Sequence, residues 1–129
     1  MKRDEQRLRD YLGHIFAAIE RIRIYTRDMD ETAFQESPMT QDAVIRNLEI
    51  IGEASNNIVK HCREFAAAHP DLPLASAYQM RNAVAHGYFM VDLEIVWKTL
   101  KNDLPGLYQQ VQAAAKDAWP EINDSEKTS

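Results

Sequence analysis

Thr40-Gln-Asp-Ala-Val-Ile-Arg-Asn-Leu-Glu-Ile-Ile-Gly-Glu-Ala-Ser-Asn-Asn-Ile-Val-Lys-His-Cys-Arg-Glu-Phe65 is the stretch that decides the fold. Within it Val44, Leu48, Ile51, Ser55, Ile58, Cys62 and Phe65 alternate steps of four and three residues. That heptad seam predicts one helix from about Gln41 to Ala68, packed against an antiparallel neighbour with left-handed geometry. Thr40 reads as its N-cap, with Asp42 favourably placed in the first turn. Cys62 lies on the seam and so reads as a small buried apolar residue, not a nucleophile. Arg46, Glu49, Glu53, Asn56 and Lys60 repeat the same steps in polar form. Two readings of this row stay open: a solvated face with local ion pairs, or the wall of a polar groove.

Upstream, Leu8, Tyr11/Leu12, Ile15, Ala18/Ile19, Ile22, Tyr25 and Met29 predict a long amphipathic helix from about Arg3 to Asp28. Gly13 inside it costs about 1 kcal/mol relative to Ala, which a close helix contact would offset. Residues 30–39 break the period and read as a loop, with Phe34 tucked against the bundle. Downstream, Pro70 and Pro73 end the second helix and a third runs from about Leu74 to His86, with Ala77, Met80 and Val84 facing the core. Asp92 is placed to cap a fourth helix carrying Leu93, Val96, Trp97, Leu100 and Leu104. Pro105 opens a fifth, reaching about Ala118 through Leu107, Tyr108, Val111, Ala114 and Ala115. The expected architecture is a compact all-α antiparallel bundle of about five helices, one domain over 1–119 with a disordered tail at 120–129.

The single cysteine excludes an internal disulfide, no charged-then-apolar leader opens the sequence, and no apolar run reaches the length of a membrane span. The expectation is a cytoplasmic protein. A formal net charge of −5 argues against broad nonspecific affinity for nucleic acid. Residues 1–29 nevertheless carry seven basic groups against five acidic ones, so an RNA partner needs a local basic site, such as the first helix with Arg81. The histidines and acidic residues show no metal-ligand spacing, and the four glycines are isolated, which removes a phosphate-cradling Gly-rich loop. No metal and no cofactor is expected.

The densest chemistry is Met80-Arg81-Asn82-Ala83-Val84-Ala85-His86-Gly87-Tyr88-Phe89. An imidazole takes and returns a proton near neutrality. A guanidinium holds a phosphate oxygen bidentately and stabilises charge growing on phosphorus. Arg81 and His86 therefore suffice for attack of a ribose 2′-hydroxyl on its own neighbouring phosphate, with Tyr88 donating a hydrogen bond or stacking on a base. A helix end capped by His86 and Gly87, with Arg81 in a surface ion pair, explains the same residues without function. One ideal helix does not converge them: His86 lies about 140° around the axis from Arg81, while Tyr88 returns to within about 20°. Either the helix unwinds at Gly87 or a second copy completes the site.

The spacing Arg81-x4-His86-x-Tyr88 resembles the signature of the HEPN superfamily, specifically the HepT-like toxins. The likeness extends to Met39–Ala54, Val91–Trp97 and Asn102–Pro105, and spans about residues 5–112. Resemblance implies an all-α HEPN bundle that forms a homodimer, with the two signature helices meeting at a cleft. It implies that Arg81 and His86 are the catalytic pair of a metal-independent endoribonuclease leaving a 2′,3′-cyclic phosphate, supported by Asn82 and Tyr88. It also implies a toxin paired with a minimal nucleotidyltransferase antitoxin, which transfers AMP to Tyr88. The competing class is a noncatalytic HEPN module that binds RNA or protein without cleaving anything.

Overall fold

The computed structural model describes residues 2–86 and 92–118, with side chains over 5–82 and 92–118. Its first helix, α1 (Lys2–Thr26), buries Leu8, Leu12, Ile15, Ala18, Ile19 and Ile22 on the stripe that the three- and four-residue spacing demands, whereas Tyr25, expected on the same stripe, is exposed. At its end the Thr26 hydroxyl donates to the Ile22 carbonyl at 2.8 Å.

The connection that follows is not a plain loop. It contains α2 (Glu31–Gln35), started by Asp30, whose carboxylate accepts from the Ala33 N–H at 2.8 Å. Phe34 is fully buried as expected, its ring 5.4 Å from that of Trp97. The Gln41 side-chain amide reaches back to the Phe34 and Gln35 carbonyls at 2.9 and 3.0 Å, capping this short helix.

The central helix, α3 (Pro38–His61), starts earlier than the sequence suggests, and Thr40 is not its N-cap. Ser37 holds that position and Pro38 opens the first turn, where a missing N–H costs nothing and a fixed φ is already helical. At its other end the helix breaks at Cys62 (φ −129°, ψ 53°), and the chain resumes as α4 (Arg63–Ala68). The predicted run to Ala68 is therefore two helices, although the whole seam from Val44 to Phe65 is buried. Ser55 is accommodated there because its hydroxyl donates to the Ile51 carbonyl at 2.8 Å. His69 ends α4, bonded to the Phe65 carbonyl at 3.0 Å and to Asp117 at 3.1 Å.

α5 (Leu74–His86) has the predicted bounds. α6 (Leu93–Asn102) is capped by Asp92, whose carboxylate accepts from the N–H groups of Glu94 and Ile95 at 2.9 and 3.3 Å. α7 (Leu104–Ala118) follows after one residue and packs on α1 through an edge-to-face contact of Phe16 and Tyr108, centroids 5.2 Å apart. Among the described residues there are thus seven helices and no strand, an all-α bundle in which α3 lies between α1 and α5. The extra helices are α2 and α4. Gly13 is exposed with open space around it, so no close contact among the described residues accounts for it. The expected tail at 120–129 lies outside the described residues. No described helix is long and apolar enough to cross a membrane.

Candidate functional site

α3 and α5 meet at a glycine. A Cβ built on Gly52 would collide with the Cβ of Arg81 and stand 2.9 Å from both its Cγ and the Ala77 carbonyl oxygen. The missing side chain is therefore what lets the backbone of α5 lie directly on α3. Arg81 is pressed against α3 at its root, and its head turns toward the next residue along, Glu53.

Two contacts fix that head. Arg81 Nη2 donates to Glu53 Oε1 at 2.8 Å, and Nη1 donates to Asn82 Oδ1 at 3.0 Å. The Arg81 side chain is 28% exposed and that of Glu53 59%. Arg81 Nε is buried and has no hydrogen-bond partner among the described residues. A guanidinium carries five N–H donors in a rigid plane. Two of them are used in these contacts, and the plane they define sets the direction of the rest.

The polar row on α3 divides between its two readings. Arg46 and Glu49 make a local pair at 4.0 Å, as a solvated face does, whereas Glu53 crosses to another helix. Sequence reasoning marks neither Gly52 nor Glu53 as a site residue. The signal that could have found them is a glycine inside a strongly periodic helix, where it costs about 1 kcal/mol unless something approaches closely.

Of the four candidate residues, Arg81 and Asn82 stand together at the crossing. His86 is the last residue of α5, and its side chain lies outside the described residues. Tyr88 lies outside them altogether. Because α5 stays helical to His86, the Cα of that residue sits about 140° around the axis from that of Arg81. The helix itself does not bring the two to one point. Among the described residues no three His, Cys, Asp or Glu side chains are gathered as a metal site requires. Beside the crossing lies an open cavity of about 440 Å³ with a mixed lining, apolar at Leu48, Ile51 and Met80 and polar at Ser76, Asn102 and Asp103.

Comparison with known proteins gives one consistent answer. The family model described as Ribonuclease HepT-like matches residues 15–114. A "Probable ribonuclease HepT" of Thermococcus cleftensis is 45% identical over 107 residues, 83% of this chain and 92% of that one. "Putative RNase MJ0125" of Methanocaldococcus jannaschii is 35% identical over 116 residues, covering 90% and 95% of the two chains. "Putative RNase TTE0752" of Caldanaerobacter subterraneus subsp. tengcongensis is 35% identical over 104 residues, 81% and 90%. No solved structure matches the chain.

Proposed function

This chain belongs to the HepT-like ribonuclease family, and from that premise we propose that it is a metal-independent endoribonuclease whose catalytic groups are Arg81 and His86. The observation that carries the reading is the guanidinium of Arg81, held at two points on a partly exposed face with donors to spare.

In the proposed reaction the ribose 2′-oxygen attacks the adjacent phosphorus and the bond from phosphorus to the 5′-oxygen breaks. His86 takes the proton of the 2′-hydroxyl and, as imidazolium, returns it to the leaving 5′-oxygen, so the proton count closes. The products are a 2′,3′-cyclic phosphate and a 5′-hydroxyl end. The nucleophile belongs to the substrate, so neither a metal nor a protein nucleophile is required. Arg81 binds the phosphoryl oxygens as negative charge builds on them, the kind of preoriented donor that contributes most to such steps. Asn82 supports Arg81 through their shared hydrogen bond, and Tyr88 supports the base or phosphate from beyond the helix end. The separation of Arg81 and His86 around α5 supports a homodimer in which a second signature helix completes each site.

In the same proposal the protein is a toxin neutralised by a minimal nucleotidyltransferase antitoxin that transfers AMP to Tyr88. A phenol two residues from His86 is a sensible target, because AMP adds bulk and negative charge where RNA must enter. The second reading is a noncatalytic module that binds RNA or protein. It is favoured by the Arg81–Glu53 pair, which partly neutralises the guanidinium in the free chain, and by the net charge of −5.

The deciding experiment is RNA cleavage in EDTA by the purified protein beside His86→Ala, with the product ends identified and the mass of Tyr88 checked. The expected result is cleavage that survives EDTA, leaves cyclic phosphate and falls about 10²–10⁴-fold in the variant, the range for losing an acid–base group. If unmodified wild type leaves RNA intact, the binding module replaces the nuclease.

A further inference from the structure

We propose that Glu53 is a positioning residue for Arg81: it fixes the plane of the guanidinium so that the remaining N–H of each Nη group meets a phosphate. The role in catalysis rests on the ribonuclease reading of Arg81; the holding of Arg81 does not.

Two other arginine ion pairs, Arg23–Glu20 and Arg46–Glu49, join residues three apart on one helix. Arg81–Glu53 joins residues 28 apart on different helices and is the shortest of the three at 2.8 Å. It forms beside the glycine that brings α3 and α5 into contact, so the root and the head of Arg81 are both set by consecutive residues of α3. Asn82 holds the opposite nitrogen from α5. A flexible side chain is thereby reduced to one orientation, and a planar fork gains most from being held before its ligand arrives.

The pair is not explained as a brace for the fold. Partly exposed ion pairs contribute little to stability. A carboxylate next to a phosphate site also has an electrostatic cost, because it repels the substrate. Three roles therefore give different signs. A positioning residue speeds the chemical step and leaves RNA affinity nearly unchanged. A competing counter-ion weakens RNA binding, so its removal strengthens it. A brace affects stability whether or not Arg81 is present.

The experiment is a double-mutant cycle with Glu53→Ala and Arg81→Ala, together with Glu53→Gln, which keeps an accepting oxygen. Single-turnover cleavage and RNA dissociation constants are measured separately. Glu53→Ala is expected to slow cleavage about 10- to 100-fold, the scale of a misplaced catalytic group, with the dissociation constant changed less than about threefold. Glu53→Gln is expected to recover most of the rate, and Glu53→Ala to add less than about twofold once Arg81 is gone. Equal slowing in both backgrounds, an unchanged rate, or tighter binding with faster cleavage overturns the proposal. Nitrogen-15 NMR of the Arg81 Nη groups gives a readout that needs no activity. Restricted rotation in wild type that is lost in Glu53→Ala supports the holding role, and the same rotation in both overturns it. Wild type that cleaves no RNA overturns the ribonuclease reading alone, and the NMR result then decides for Glu53.

Discussion

Two faces of α3 do opposite kinds of work. Toward the core, Val44, Leu48, Ile51, Ser55 and Ile58 form a continuous buried row, so the packing is shared among many side chains. Toward Arg81, the contact depends on one side chain that is absent, at Gly52, and one ion pair, at Glu53. The first face is redundant and sets the fold. The second carries the packing of α5, and at Gly52 and Glu53 it also sets the position of one guanidinium. A substitution on the first should cost stability and spare chemistry, while one on the second should do the reverse.

Ile58→Ala tests the first half with the largest expected change in stability. Ile58 is fully buried, and truncating a buried isoleucine costs about 2–5 kcal/mol, through lost transfer energy and the cavity left behind. Urea unfolding should show that loss, while cleavage per folded molecule stays near wild type. A large fall in cleavage at unchanged folded fraction would mean that the two faces are not separable.

The same division explains what is legible in the sequence. A buried row of large apolar residues leaves a period, and that period identifies the seam and the long α1 stripe, whereas the bounds of α5 are legible from Pro73 ahead of it and Gly87 after it. Asp92 is legible because an acidic residue directly ahead of an apolar stripe has one common use. α2 is not, because five residues with one buried side chain are too short to show a period, although Phe34 reads as buried. The break at Cys62 is hidden, because neither glycine nor proline marks it and the seam continues across it. Thr40 displaces Ser37 as the expected cap because a Ser-Pro pair reads as loop, whereas Pro38 in fact occupies the first turn. Arg81 and Asn82 are legible from residue type and from the family resemblance. Their partner Glu53 is not, because a carboxylate in a polar row looks the same whether it faces water or a guanidinium 28 residues away.

Gly52→Ala tests the second half and comes next in size. The added Cβ meets the root of Arg81 and a backbone carbonyl, neither of which can swing aside, so α3 and α5 must separate. Overpacking of this kind costs about 1–3 kcal/mol, offset by about 1 kcal/mol because alanine favours the helix over glycine. The net loss of stability should therefore be smaller than for Ile58→Ala. Cleavage, by contrast, should fall by about 10²-fold, since displacement on the scale of an ångström is enough to do so. Measuring unfolding and cleavage on both variants gives two ratios that should be inverted. Equal ratios would remove the distinction between the faces.

Gly13→Ala is the smallest of the three and carries the opposite sign. Gly13 lies inside α1, is exposed, and among the described residues has no atom within 4 Å of the position a Cβ would take, other than those of its own immediate helix. Its φ is not positive, so an alanine fits the backbone without strain. The substitution should raise stability by about 1 kcal/mol through helix propensity and leave cleavage unchanged. One chemical change, glycine to alanine within a helix, then stabilises at one site and disables at the other, and the neighbouring helix is the difference. If Gly13→Ala instead destabilises, a group beyond the described residues approaches α1 as closely as α5 approaches α3. A second copy seated on α1 would do this, and it would argue against the proposed homodimer through the signature helix.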